Sequence, residues 1–489
     1  MSAPRDRRTA TVVGAGPNGL SAAIELARAG LDVTLYEAKD QIGGGTRSAA
    51  LTLPGFRHDV CAAVHPMGAS SPFFRQLDLT ARGLEWVHPA APLAHPFDDG
   101  TAAMLERSTS ATAKTLAGAD ARAYQRLMDP LVEHWPALVH DALAPLHLPR
   151  HPVVMTQFAR RGLRSAMGLA RSWFRDDRAR ALFAGIAAHT LEPLSRLPTA
   201  AFGLMLAAAG HAVGWPFARG GSQKIADALT SVLQDHGGRI LTGRGVRSLT
   251  ELPASAFTLL DLTPRQVLAI GGDRWPPRFR RALTRYRYGP GVCKVDWALR
   301  EPIPWRAREC GRAGTVHLGG GSGAIAYSAR APWQGRLDQR PFVILAQPTL
   351  FDASRAPDGR HVAWGYCHVP HGSPADMTAA IEAQIERFAP GFREIVLHRA
   401  VRTAVMVEQD NPNFVGGDIN GGSQDWRQLF FRPRVSVNPY ATPIAGLYLC
   451  SSSTPPGGAV HGLCGYYGAR AALGGIAALQ AELSFPAAA

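Results

Sequence analysis

Two glycine-rich runs and one carboxylate carry the clearest chemistry in this 489-residue sequence. Gly14-Ala-Gly16-Pro-Asn18-Gly19 follows the β-branched run Ala10–Val13 and precedes an apolar-periodic segment ending at Gly30. Glycines at this spacing do not react; they bring main chain close to an anion. The first permits a tight turn, the second admits a pyrophosphate, and the third lets helix and strand pack closely. Free N–H groups at the helix start, with their partial positive charge, complete an anion site. Glu37 lies 18 residues after Gly19 and ends the next apolar run, Leu31–Tyr36. A carboxylate there accepts hydrogen bonds from an adenosine ribose and repels a 2′-phosphate. Strand, turn, helix, strand and terminal acid together predict a dinucleotide site, with NADP disfavoured.

A second turn, Gln41-Ile-Gly43-Gly44-Gly45-Thr46-Arg47-Ser48, follows at once. It lets the backbone approach a long cofactor again, and Arg47 can neutralise phosphate. With this turn the sequence resembles the glutathione-reductase-type FAD superfamily, in its amine-oxidase and phytoene-desaturase branch. FAD is the cofactor that resemblance implies, held by Gly14, Gly16, Asn18, Gly19, Glu37, Gly44, Gly45, Thr46 and Arg47.

Later segments extend the likeness. Phe217–Ser222 opens a helix, with Ser222 expected as its N-cap and Gly237-Gly238 as its stop, and the strand Arg239–Leu241 follows. Val246 resembles the family's adenine-contacting backbone position, and Leu259–Pro264 looks like a returning strand. Gly446–Pro456 and Gly457–Ala472 read as strand, glycine- and proline-rich loop, and small-residue helix. This resembles the family's C-terminal FAD signature, in which Ser452, Gly458, Val460 and His461 would lie beside the ribityl chain and flavin. A helix N-terminus there stabilises the anion of reduced flavin. His461 is the candidate catalytic side chain, with a purely structural role as the alternative. Asn411–Gly422 and Phe431-Arg432-Pro433 also look like that group. Two departures stand out: Ser452 occupies a place where relatives often carry aspartate, and Val246 and Leu259 are too close for a common antiparallel excursion.

Other chemistry is weaker. No Ser-His-Asp signature, Walker loop or zinc spacing occurs, and His368 and His371 lack partners for a metal, so none is expected. The six cysteines lie far apart and include no CxxC, and Cys450 and Cys464 are read as buried packing residues. The His65–Gly68 run follows the second turn and could border the active site. Trp215, Trp297, Trp305, Trp364 and Trp426 would suit an apolar tunnel, while Tyr466 and Tyr467 either stack near flavin or fill core.

Lys and Arg number 52 against 38 Asp and Glu, a formal charge of +14. Only Lys39, Lys114, Lys224 and Lys294 are lysines, so the excess reads as arginine-rich background and nucleic acid is not an expected partner. From Arg150 to Arg180, eight arginines face Asp176 and Asp177, with Val153, Phe158, Leu163 and Trp173 interleaved. A basic amphipathic helix over 150–180 is thus a candidate for peripheral membrane contact, its alternative a solvated face. Leu197–Ala218 has no charged residue, but its prolines and glycines suit a buried helix better than a spanning one. The Met1–Arg8 start lacks a signal-peptide core, and a cytoplasmic location is expected.

The fold class expected is α/β: a Rossmann-like FAD-binding domain with an interleaved α+β substrate domain. The first would comprise residues 1–75, 215–275 and 430–489; the second, residues 76–214 (mostly helical) and 276–429. The resemblance implies an FAD-dependent oxidoreductase acting on a lipophilic small molecule, with oxygen or a quinone recycling the flavin. A flavin amine oxidase, a flavin-linked isomerase and a lipid-binding escort-type protein are the alternatives.

Overall fold

The computed structural model describes residues 8–116 and 118–479. Residues 1–7, which hold most of the expected leaderless N-terminus, and 480–489, the end of the last expected FAD segment, lie outside the described residues.

Five short strands form an all-parallel sheet in the order Leu447–Leu449, Phe257–Leu260, Thr9–Val13, Asp32–Tyr36, Arg239–Leu241. A parallel sheet is covered on both faces, so its central strand reads as an unbroken apolar run; Ala10–Val13 is buried throughout. The helix Pro17–Arg28 leaves the first strand through Gly14, at φ +100°, and Gly30, at φ +87°, turns the chain toward the second strand. Pro17 at the first helical position costs no hydrogen bond there. Leu463–Leu479 packs against this first helix because its contact residue is Gly465. A Cβ there would lie 1.8 Å from the carbonyl oxygen of Asn18.

A second, larger sheet has seven strands, ordered 396–402, 291–299, 361–369, 343–346, 313–318, 91–96 and 102–105, and two short pairs complete the set among the described residues. All of its pairs are antiparallel except 313–318 with 91–96. Side chains on a strand alternate between faces, and the two faces here bury different things. Cys293, Val295, Trp297, Ala363 and Cys367 pack on the helix Thr378–Phe388. Val292, Ile344, Trp364 and Tyr366 face a layer of helices drawn from 118–212. Within that layer Thr199–Ala212 is apolar nearly all round and lies buried among the other helices, as expected of an uncharged core segment.

A buried ion network joins the two parts. Both Arg355 end nitrogens donate to Asp59 Oδ2 at 3.0 Å, and its Nε donates to Asp352 Oδ2 at 3.1 Å. Asp59 also accepts the N–H of Ser222 at 2.7 Å. Burial alone would raise the Asp59 pKa, but Arg355 and these donors hold it below the ordinary carboxylate range. Among the described residues, no helix is long and apolar enough to cross a membrane.

Candidate active site

One cavity of about 1090 Å³ runs from the parallel sheet to the helical layer. Drug-sized sites span ~300–1,000 Å³, so the space suits an extended group with something beside it. At one end the wall is largely main chain. A Cβ on Gly19 would sit 1.8 Å from the oxygen of Gly14, and one on Gly44 would sit 3.1 Å from Gly16 Cα. The two glycine turns therefore approach each other as only residues without side chains can. Glu37 holds its place through two N–H donors, Ala15 to Oε2 at 2.8 Å and Lys39 to Oε1 at 3.0 Å. Asn18 Oδ1 is buried here without a hydrogen-bond partner among the described residues. An anion cradle with an unmatched polar atom and a terminal carboxylate fits the adenosine and pyrophosphate of a dinucleotide.

Of the residues the sequence pointed to, Gly14, Gly16, Asn18, Glu37, Gly44, Gly45, Thr46, Arg47, Val246, Ser452, Gly458 and Val460 all line this cavity. Gly19 lies behind its surface and acts through packing. Arg47 is not free to serve phosphate alone: it pairs with Asp410, which also takes Lys39 Nζ at 3.1 Å.

His461 is placed differently. It is 1% exposed and absent from the cavity wall, and its Nδ1 accepts the N–H of Leu463 at 3.0 Å. The ring thus caps the last helix, and burial keeps it neutral by lowering its pKa to about 4. Ser222 also departs from expectation. The positive-φ glycines 220 and 221 deliver it in helical geometry, so its hydroxyl makes no cap and pairs with His65 Nε2 at 2.8 Å. His65, Pro66 and Met67 do border the cavity.

Four more residues stand at or beside the cavity; Trp364 is expected of an apolar tunnel, whereas Asp261, Tyr366 and Lys294 have no expected place in the site. Asp261 ends the strand Phe257–Leu260 and accepts the N–H of Gly19 through Oδ2 at 2.9 Å. Burial pushes its pKa up to about 7; the Gly19 bond opposes this and the Glu37 charge adds to it. Trp364 and Tyr366, two apart on one strand, present stacked rings 5.9 Å apart and 10° from parallel. Lys294, opposite Tyr366 on the adjacent strand, lies 5.3 Å from the Trp364 ring and donates to Asp59 O and Asp296. Burial lowers its pKa, with Asp296 opposing. Trp364, like Trp215, lines the cavity as expected of an apolar tunnel, and alternation along the strand could have added Tyr366.

Beyond the rings the wall turns apolar, with Met155, Phe158, Phe202, Met205, Leu206 and Trp215. His189, in the same wall, shares a 2.9 Å contact with His317, and burial lowers both pKa values, His189 to about 3. Trp297 and Trp305 lie in the core on the far face of the large sheet, and Trp426 is 48% exposed. Tyr466 and Tyr467 fill the core of the parallel-sheet part, Tyr466 against Phe73.

The basic stretch 150–180 is not one amphipathic helix. It divides into Pro152–Gly162 and Ala166–Trp173, with a third helix starting at Asp177, because Ser165 and Asp176 cap new starts. Several arginines are used internally: Arg164 bonds Gly168 O, Arg178 reaches Ala102 O and Thr115 O, and Arg180 holds Phe174 O. Phe158, Met167 and Phe174 are buried, whereas Val153, Leu163, Leu146, Leu148 and Leu197 are exposed, Leu146 and Leu163 of these lining the cavity. His368 and His371 do not converge; His371 Nδ1 pairs with Gly289 O.

A two-turn glycine cradle on a parallel sheet, opening into an apolar chamber, defines a dinucleotide-binding protein with room for a second, apolar molecule. Residues 18–463 match the family of flavin-containing amine oxidoreductases. The chain belongs to that family, and FAD is its cofactor. Among curated relatives, "Pyridine nucleotide-disulfide oxidoreductase domain-containing protein 2" of Rattus norvegicus is 26% identical over 93% of this chain and 91% of its own length. The neurosporene-forming phytoene desaturase of Rhodobacter capsulatus is 23% identical over 93% of this chain and 92% of its own length. A solved putrescine oxidase triple mutant shares the fold, with a TM-score of 0.62 at 19% identity, covering 96% of this chain and 99% of that one.

Proposed function

We propose that this flavin-dependent oxidoreductase moves hydride between a carbon of a lipophilic substrate and FAD, the substrate being an isoprenoid, a polyene or a long acyl chain. The observation that carries the reading is the chamber beyond the aromatic pair, walled by Met155, Phe158, Phe202, Met205 and Leu206. Bound FAD supplies the hydride acceptor. The protein's part is to hold a C–H bond in place and exclude water. Neutral His65, His189 and His461 suit a dry site, since burial disfavours their charged forms. In this reading Gly14, Gly16, Asn18, Glu37 and Val246 hold the adenosine and pyrophosphate end, with Ser452, Gly458 and Val460 beside the ribityl chain. His461 acts by fixing the last helix rather than by touching substrate. The domain division at 75, 214, 275 and 429 belongs to the same proposal. All five parallel strands fall in the first set of segments and all seven mixed-sheet strands in the second.

The outer rim, with Leu146, Leu148, Val153, Leu163 and Leu197 exposed among arginines, would rest on a membrane surface and take substrate from it. Oxygen or a quinone would then recycle the flavin. Flotation with anionic vesicles tests the contact: a Leu148→Asp/Val153→Asp/Leu163→Asp variant should stay with the unbound protein. Equal flotation of variant and parent sinks this part.

A second reading, an amine oxidase, rests on Trp364, Tyr366 and buried Lys294. Anaerobic mixing of the flavin-loaded protein with polyene and amine panels separates the two. The first reading expects bleaching of the oxidised flavin band by polyenes. It also expects a loss of ~10–100-fold in kcat/KM in Phe202→Ala, the size of ~1.5–3 kcal/mol for one buried aromatic. Bleaching by amines alone, abolished in Lys294→Met, would overturn it.

A further inference from the structure

The helix Trp135–Ala142 ends beside the cavity rim, and the chain returns through 143–150 to the helix Pro152–Gly162. Around that return, three imidazoles converge on one carboxylate. His140 Nδ1 and His147 Nε2 each lie 3.2 Å from Asp141 Oδ1, and His151 Nδ1 lies 3.3 Å from Oδ2. The Asp141 side chain is fully buried, whereas His151 is 44% exposed, so the group is reachable from solvent on one side. Asp141 also accepts the N–H groups of Arg150, at 3.2 Å, and His151, at 2.8 Å. Burial works against ionisation, but these donors hold the carboxyl at about 2.

Five donors thus crowd a carboxylate with about four lone-pair positions, three of them on a single oxygen. Pinning a loop needs fewer. Imidazole nitrogens with one carboxylate oxygen are the donor set of zinc-class divalent ions. Bonds of ~2.0–2.2 Å in a tetrahedron put ligand atoms about 3.4 Å apart, so the side chains would draw in slightly around an ion. One ligand atom each from His140, Asp141 and His151 lies within 4.8 Å of the others. The His140 and His151 rings lie edge to face, their centroids 5.9 Å apart.

We propose that His140, Asp141 and His151, with His147 beside them, form a binding site for one zinc-class divalent cation at the rim of the cavity. The cation would bind the imidazole nitrogens in their unprotonated form and leave a position open to water, while His147 Nδ1 donates to Pro145 O at 2.8 Å. Asp141 and His147 belong to the cavity wall, together with Leu143, Pro145 and Leu146 between them. A bound ion would therefore staple the end of one rim helix to the start of the next and stiffen the loop past which an apolar substrate enters. The site stands apart from the nucleotide cradle, and its existence does not depend on the substrate reading above.

The test uses untagged, FAD-loaded protein treated with EDTA and then dialysed. Titration with Co²⁺ should produce the intense visible bands of a low-coordinate site, saturating at one ion per chain, and Zn²⁺ should displace them. His140→Ala and His151→Ala should each weaken Zn²⁺ binding at least ~10-fold, because even an outer partner of a ligand is worth ~10–100-fold. Asp141→Asn keeps one carbonyl oxygen, enough for the shorter N–H bond from His151, so a variant that retains flavin and fold should lose the Co²⁺ bands. His236→Ala, an exposed histidine elsewhere, should bind as the parent does. Absence of saturable Co²⁺ bands in the parent, or equal Zn²⁺ affinity in the folded Asp141→Asn variant, overturns the assignment.

Discussion

The two ends of the cavity are built on opposite principles. At the nucleotide end the wall is backbone: glycine turns at 14–19 and 43–46, N–H groups, and a carboxylate fixed by main-chain donors. At the far end it is side chain, contributed by helices from 152–212 and by strands near 315, 344 and 364–366. The first end is specified by where a Cβ cannot be, the second by apolar bulk that tolerates exchange of one residue for another. A single added methyl should therefore be ruinous at one end and nearly silent at the other.

The largest effect expected from that contrast is Gly19→Ala. Its Cβ would stand 1.8 Å from a backbone oxygen that cannot swing away, so the turn must open. Purified protein should lack the flavin absorption bands, whereas Ala201→Val in the apolar wall should keep them. A yellow, stoichiometrically loaded Gly19→Ala variant would break the comparison. Next comes the joint between the two ends. Arg355→Ala leaves Asp59 buried without its cation and Asp352 with only Arg219, 3.8 Å away, at a cost of ~3–5 kcal/mol. Denaturant unfolding should show that loss at pH 7, with flavin released in the same transition. A loss below ~1 kcal/mol would mean the network does not join the parts.

The smallest effect concerns pH. Asp261 has a folded-state pKa of about 7, above the ordinary carboxyl value, so the folded protein holds an extra proton between about pH 4 and pH 7. Its contribution is full below the unfolded value and is lost as pH rises through about 7. Ionisation there also adds negative charge beside Glu37, at a site meant for pyrophosphate. Flavin release, followed by fluorescence, should therefore be faster at pH 8 than at pH 6. Asp261→Asn should flatten that difference, and an unchanged slope in the variant would remove Asp261 as the cause.

Legibility in the sequence followed the same divide. The fingerprint at 14–19, the acid at 37 and the strands at 239–241 and 447–449 could be read because each obeys a short-range rule of spacing or β-branched run, whereas the returning strand expected at 259–264 lies at 257–260, because Thr263 and Pro264 open a helix. His461 could be read as important but not as to where its ring points; a 3.0 Å bond to Leu463 N–H turned it into a cap. The stretch 150–180 reads as one basic helix only if the capping oxygens of Ser165 and Asp176 are overlooked.

The sequence by itself determined that this chain makes a dinucleotide cradle, since turns, caps and pleats depend on residues a few positions apart. Which groups share the cavity with that cradle was decided by the tertiary structure alone. Asp261 meets Gly19 across 242 positions, Arg355 meets Asp59 across 296, and Lys294 meets Tyr366 through strand register. Contacts of that reach follow from packing two sheets and a helical layer around one space, and no local spacing encodes them.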